Sequence, residues 1–329
     1  MYISKQSIIN KIEFFDSPAN GDPSFFHKFL YEINIMNSDA IDVYTKVTLK
    51  RLVQKALRKI FCTIFPTPPA KLDPVSRKVI VPRIETYLAN GCNLKCHLCS
   101  HFNPKRKGIV PADDLALWFN HWKEKLLPET VALLGGEPLL NKDIARILRT
   151  VRECWPKAKI EIVSNGLLLT NLTEADIDEI KKTKAYFVIS QHTTDPVLVE
   201  KIVRGFERLK MARIPFEVRP SIREWLKYHQ IGPDGEPFPY QSDPDKAWKN
   251  CIPKECVALW DNQLYKCSLL ANAQQAHSEG VIGDAWVSVL TYKPLTLEST
   301  SEEIVRHLSG QGVKECCICP EEYELVQIG

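Results

Sequence analysis

The sequence predicts an α/β fold, a parallel sheet with helices outside it that is either open or part of a barrel. Three observations lead there. From residue 81 onward strand-like apolar runs alternate with segments of helical periodicity, the connections are short, and four clusters of polar or cysteine residues each follow directly on a strand. Ligands of parallel α/β sheets sit at the C-terminal strand ends, so the last observation also locates a site.

The strands are residues 83–88, 130–134, 160–163, 186–189 and 216–218. The helices are residues 113–126, 142–154, 173–182 and 196–211, and Thr173 with Asp176 forms a capping box at the start of the third. The first four strands are followed in turn by Cys92, Cys96 and Cys99, by Gly135-Gly136-Glu137-Pro138, by Ser164-Asn165-Gly166 and by Ser190-Gln191-His192. Past Pro220 the alternation stops. A polar stretch, residues 230–249, leads to a second domain near Cys251, with a hairpin of residues 257–260 and 264–267 around Asp261-Asn262. Residues 1–80 carry no nameable motif and close on a linker with Pro66, Pro68, Pro69 and Pro74. The chain therefore divides into an N-terminal extension of unknown role (residues 1–80), a set of alternating strands and helices (81–229) and a small α+β domain (230–329).

Composition narrows the function classes. Of 329 residues 44% are hydrophobic and 25% charged, as in a globular protein with one large core or two smaller ones. The formal charge of +3 is small for this length, so no nucleic-acid partner is expected. Residues 1–15 lack the apolar run of a signal peptide and no later run is long enough to span a bilayer, so a cytoplasmic location is expected. Residues 46–66 place Leu49, Leu52, Val53, Leu57 and Ile60 at helical spacing among basic side chains with no acid. Such a helix can lie on an anionic membrane surface, but more often its basic face is solvated while the stripe packs on protein.

Eleven cysteines is many for a chain whose thiols stay reduced, and the usual reason is metal binding or catalysis. Three fall in residues 92–99 and six after residue 250, while Cys62 and Cys154 stand alone and read as ordinary buried thiols. Three soft thiolates on one loop suit zinc or an iron–sulfur cluster. Zinc needs a fourth ligand, which His97 or His101 can supply. A cluster held by three thiolates leaves one iron open.

The CxxxCxxC loop after the first strand, with GGEP after the second, resembles the radical S-adenosylmethionine superfamily. The resemblance implies a partial (β/α) barrel of five or six parallel strands, the sixth to be sought in residues 225–231. It implies a 4Fe–4S cluster on Cys92, Cys96 and Cys99 whose open iron is chelated by the amino and carboxylate groups of S-adenosylmethionine. One electron, delivered by a protein such as a flavodoxin or ferredoxin, then yields a 5′-deoxyadenosyl radical that abstracts hydrogen from substrate. In this reading Gly135 and Gly136 let the backbone approach the methionine amine with Glu137 beside it. Ser164 and Asn165 are the ribose and carboxylate contacts, and Ser190 is a further methionine-carboxylate contact. The residue before the third cysteine, usually aromatic in the family, is Leu98, which keeps only a backbone contact near adenine.

The second group is Cys251, Cys256, Cys267, Cys316, Cys317 and Cys319. It resembles the Twitch type of auxiliary-cluster domain, a shortened relative of the SPASM domain. The family pattern sets a glycine in the hairpin turn five positions before a cysteine; here Asn262 holds that place, and Asn tolerates the same left-handed backbone. The resemblance implies an auxiliary 4Fe–4S cluster on Cys251, Cys267, Cys316 and Cys319, with Cys256 and Cys317 as competitors and zinc as the alternative metal.

Gln191 and His192, ending the fourth strand, and Arg219, ending the fifth, are the candidate substrate contacts, since a guanidinium near the core requires an anionic partner. Arg223 and Tyr228 follow on the same segment. Twitch-bearing relatives include dehydrogenases of aminocyclitol alcohols. By that analogy the expected substrate is a small polar molecule, carbohydrate- or aminocyclitol-like, with the auxiliary cluster as electron acceptor. A peptide-modifying enzyme and a non-catalytic, metal-stabilised binding module are the alternatives.

Overall fold

The computed structural model describes residues 70–102, 105–219, 225–252, 256–309 and 311–326. They belong to one compact unit, Pro68–Gly329. The basic segment 46–66, Cys62 and Arg223 lie outside the described residues.

A short β1 (Lys71–Leu72) pairs antiparallel with the start of the long β2 (Val79–Ala89). β2 is followed by α1 (Ala112–Trp122), β3 (Leu126–Gly135), α2 (Ile144–Cys154), β4 (Lys159–Ser164), α3 (Glu174–Thr183), β5 (Tyr186–Ser190), α4 (Pro196–Met211) and β6 (Phe216–Arg219). The five strands β2 to β6 are hydrogen-bonded in that order and all parallel, as the alternation predicts. Local signals set the helix starts. Thr173 and Asp176 bond each other's backbone amides in a capping box, and the Asp195 carboxylate accepts from the amides of Val197 and Leu198 just beyond Pro196. Cys154, expected to be buried, is instead partly exposed at the end of α2.

Residues 225–231 do not supply a sixth strand. They form two-residue pieces, β7 (Trp225–Leu226) and β8 (Gln230–Ile231), the latter paired only with β9 (Pro237–Phe238), because Gly232, Pro233 and Gly235 interrupt the segment. The chain then continues through α5 (Pro244–Asn250) to β10 (Val257–Trp260) and β11 (Gln263–Tyr265). The sixth parallel strand is β10, four fully buried apolar residues laid against the free edge of β2, with Val257 opposite Ile84 and Leu259 opposite Thr86. β11 folds back on it through Asp261 and Asn262, both left-handed at φ 47° and 56°, the geometry of a tight hairpin turn. Helices α6 (Ser268–Ser278) and α7 (Ser301–Ser309) follow, and β12 (Leu325–Val326) ends the described chain beside β7.

The main sheet has two unlike faces. Ile84, Val131, Leu133, Ile160, Ile162, Phe187 and Ile189 alternate onto one face and share a core with Leu115, Phe119, Ile147, Val151 and Ile180 of the helices. Each such side chain contributes about 1.5–3 kcal/mol on burial. The intervening residues put Arg83, Glu85, Glu161, Tyr186, Glu217 and Arg219 on the other face.

β2 and β3 meet most closely at their C-terminal ends. A Cβ built on Gly135, whose φ is +150°, would stand 2.3 Å from the Ala89 carbonyl oxygen. Gly136 then donates to that carbonyl at 2.8 Å and Glu137 to the carbonyl of Gly91 at 3.0 Å. Gly135→Ala should therefore lower unfolding stability by about 3 kcal/mol. Urea titration checks this, and an unchanged midpoint would show that the strand ends can part at no cost.

Candidate active site and metal centres

The loop that carries Cys92, Cys96 and Cys99 is fastened on both sides. Toward the sheet, Asn90 and Gly91 donate to the Gly108 carbonyl, and the buried Asn141 amide donates to the carbonyls of Leu88 and Val110 at 3.0 and 2.8 Å. On its far side Arg106, only 4% exposed, donates to both carboxylate oxygens of Glu279 at 2.9 and 2.7 Å and to Asn272 at 3.2 Å. Asn272 in turn donates to the Tyr87 hydroxyl at 2.8 Å.

None of the three thiols is in a disulfide, and all are partly exposed. Burial pushes Cys92 up to about 11 and Cys96 up to about 12; Cys99 adds to the rise at both, and Cys92 to that at Cys96. The three groups thus act on one another. Cys92 Sγ also accepts from the Leu94 amide at 3.4 Å and from Asn165 Nδ2 at 3.7 Å, donors suited to a thiolate. Among the described residues no three His, Cys, Asp or Glu side chains converge as they do around a single ion. A cubane cluster does not need that convergence, since each thiolate takes a separate iron, and the donor set of this loop fits one. His101, a candidate fourth ligand for zinc, is turned against the Tyr87 ring at 5.5 Å, and burial drives its pKa down to about 4.

Glu137 is fully buried and is the junction of three strand ends. Its carboxylate accepts from Ser164 Oγ and the Asn165 amide, both at 2.8 Å, and from the Leu139 amide at 3.1 Å. Burial lifts its pKa to about 7 against those three donors. Ser164 is thereby directed at Glu137, and its oxygen also accepts from the Gly166 amide at 3.0 Å. Asn165 reaches the cysteine loop, donating to Asn93 at 2.7 Å as well as to Cys92. Leu98 is buried with a left-handed φ of 59°, and its carbonyl accepts from the Trp225 indole at 2.9 Å.

The strand ends of β5 and β6 sit side by side, Ser190 opposite Arg219, with the Gln191 amide donating to the Arg219 carbonyl at 2.9 Å. His192 lies edge-on to Trp225 at 4.9 Å; its Nδ1 is buried without a hydrogen-bond partner and its pKa is driven down to about 4 by burial. The anionic partner expected for Arg219 is Glu217, two residues back on the same strand face, and the Arg219 side chain is 54% exposed. Deeper on that face Arg83 bonds both Glu85 and Glu161, and the Tyr186 hydroxyl also donates to Glu161. Although burial opposes ionisation, Arg83 and Tyr186 hold the Glu161 carboxyl below its usual range. The sequence reading missed this charged row. Its signal was present: Arg83 and Glu85 alternate with Ile84 and Thr86 in a strand that would otherwise read apolar throughout.

Residues 86–214 match the Radical SAM superfamily. The chain carries a radical SAM domain. Such a domain binds a 4Fe–4S cluster and S-adenosylmethionine. The chain is 31% identical to GTP 3′,8-cyclase of Aquifex aeolicus over 142 residues, 40% of this chain and 41% of that protein. It is 30% identical to the probable GTP 3′,8-cyclase of Sulfolobus acidocaldarius over 138 residues, 37% of this chain and 41% of that one. The chain therefore spans about two fifths of the length of these curated relatives. Among solved structures it is similar to BtrN in complex with AdoMet and 2-DOIA, at 16% identity and a TM-score of 0.41 over 63% of this chain and 85% of that one. It is also similar to Streptococcus suis SuiB bound to S-adenosylmethionine, at 20% identity and a TM-score of 0.35 over 59% and 44%. No helix among the described residues is long and apolar enough to cross a membrane.

The second group of thiols lies together at the other end of the described chain. Burial raises Cys267 to about 12, with Cys251 and Cys316 adding to it, and Cys319 is raised by burial together with Cys267, Cys251 and Cys316. These four act on one another, and their donor set fits a cluster or a zinc ion. Tyr323 points its hydroxyl at Cys251 Sγ, 3.9 Å away, and meets the Tyr228 ring edge-on. Cys256 lies by Glu85 and Arg83 at the charged face of the sheet, and Cys267 also acts on it; Cys317 stands beside Glu315 and acts on Cys316.

The clamp on the first cysteine loop gives an asymmetric prediction. Glu279→Ala leaves the buried Arg106 charge without its carboxylate and should cost about 3 kcal/mol, whereas Arg106→Met leaves only a part-exposed Glu279 and should cost less. Thermal melts of the two variants check the order, and equal losses would mean that the pair contributes packing alone.

Proposed function

We propose that the chain is a radical SAM oxidoreductase that cleaves S-adenosylmethionine reductively and abstracts hydrogen from a small polar substrate, carbohydrate- or aminocyclitol-like. The observation that carries the reading is the charged face of the sheet below the cysteine loop: Arg83, Glu85, Glu161, Tyr186, Glu217 and Arg219 form a hydrogen-bonding floor such as a polyhydroxy or amino-bearing molecule requires. Cys92, Cys96 and Cys99 would hold the 4Fe–4S cluster, which when bound supplies the electron that opens the carbon–sulfur bond of the cofactor. This chain's own residues position the partners. Glu137 fixes the ends of β3 and β4, Asn165 orients Cys92, and Ser190 with Gln191 and His192 borders the mouth of the barrel. Electrons would come from a flavodoxin or ferredoxin, and the cytoplasm is the compartment that keeps such thiols reduced. The likeness to GTP 3′,8-cyclases covers 40% of this chain and supports the cofactor reading.

The second half of the proposal is a Twitch-like domain over residues 230–329 with an auxiliary 4Fe–4S cluster on Cys251, Cys267, Cys316 and Cys319. With a thiolate on every iron the cluster would be closed, suited to taking up the electron that a substrate radical releases. Peptide modification is the reading from another substrate class.

Replacing Cys92, Cys96 and Cys99 together by Ala should abolish 5′-deoxyadenosine formation and remove one cluster's iron while the other remains. Continued cofactor cleavage by that variant would end the proposal. Ala at Cys267 or Cys319 should lower iron and sulfide by one cluster, whereas Ala at Cys256 or Cys317 should leave both unchanged. The reverse pattern would exchange the ligands, and two zinc ions without iron would make the second site structural.

A further inference from the structure

Lys266 is a buried cation, only 2% exposed. Its ammonium lies 4.5 Å from the centre of the Trp248 ring and donates to the backbone carbonyl of His307. Among the described residues no carboxylate pairs with it. One carbonyl and one ring face leave a buried ammonium poorly compensated, and a charge in that state needs an anion.

Its surroundings are the second set of cysteines. Lys266 directly precedes Cys267. Trp248, whose ring it covers, lies in the last turn of α5 and accepts through its carbonyl from the Cys251 amide at 3.1 Å. On the segment leading to Cys316, Gly312 packs so tightly on Trp248 that a Cβ there would stand 2.6 Å from the Trp248 Cβ. The Lys266 backbone is fixed too, its amide donating to the Tyr292 hydroxyl at 2.7 Å, which meets His307 Nε2 at 2.8 Å. The ammonium is thus held in one place, by chain segments that lead to three of the four thiols.

From this placement we infer that Lys266 is the counter-cation of the auxiliary cluster and sets its reduction potential by stabilising the more negative, reduced form. It acts through the cluster and does not touch substrate. A fixed positive charge beside a low-dielectric redox centre favours the electron-rich state, so the electron leaving a substrate radical meets a better acceptor. The inference rests on the second-cluster reading above.

The test is an EPR-monitored potentiometric titration of the full chain, reconstituted with iron and sulfide, in the Cys92→Ala/Cys96→Ala/Cys99→Ala background so that one cluster is read. Lys266→Met should move the midpoint to more negative potential with iron content unchanged, and Lys266→Arg, which keeps the charge, should stay close to the parent. Loss of the cluster in the Met variant with retention in the Arg variant would equally assign the charge to the cluster. An unmoved midpoint in Lys266→Met overturns the inference alone, as does loss of the cluster in both variants, which would make Lys266 a packing residue. If the background itself binds no iron, the second-cluster reading falls and takes this inference with it.

Discussion

The Ala89 carbonyl occupies the place where a side chain of residue 135 would stand. From that contact the geometry of the first site follows in steps. The amide of Gly136 is drawn onto Ala89 and that of Glu137 onto Gly91, so the end of β3 is stitched to the root of the cysteine loop. Glu137 is then fixed, and its carboxylate gathers Ser164 and the Asn165 amide from β4. Asn165 in turn reaches Cys92. A buried carboxylate is costly unless every oxygen is satisfied, and the three donors that satisfy this one come from two different strand ends. The cost of burying Glu137 is therefore also what makes the strand ends a single rigid piece.

The second constraint is the asymmetry of the sheet. Parallel strands covered on both sides are normally apolar on both, yet here one face carries Arg83, Glu85, Glu161, Glu217 and Arg219. Part-buried pairs such as Arg83 with Glu161 contribute little net stability over apolar residues of like volume. A polar floor inside a barrel is the kind of local departure from folding rules that marks a functional surface. The helical face carries the stabilising burial instead, through Ile84, Val131, Ile162 and their neighbours.

Much of this was legible in the sequence because it is local. The strands β2 to β6 announce themselves as aliphatic runs, α4 by Asp195-Pro196, α3 by its capping box, and the hairpin by Asp261-Asn262. What was not legible depends on partners far away in sequence. Val257–Trp260 reads as one arm of a local hairpin, and nothing in its four residues says that its other edge pairs with β2 as the sixth parallel strand. Ser164 and Leu98 were placed correctly at strand end and loop, but their polar atoms turn out to be directed at Glu137 and Trp225. Arg219 was read as a core cation; side chains two apart on a strand share a face, and Glu217 therefore reaches it first.

The two groups of thiols are joined by one helix. Cys267 is the residue on which α6 begins, and Glu279 is the residue on which it ends. The first belongs to the second thiol set, and the second grips Arg106 of the first cysteine loop through two hydrogen bonds. An α-helix of 11 residues is a rod of about 16 Å whose length does not fluctuate as a loop's would. Midway along it, Asn272 bonds both Arg106 and Tyr87, so the rod is also pinned to β2, whose outer edge carries β10. Because β10 and β11 lead straight into Cys267, the sheet and the helix fix the same point from two directions. The placement of the two thiol groups is thereby tied to regular secondary structure and not only to the loops that bear them.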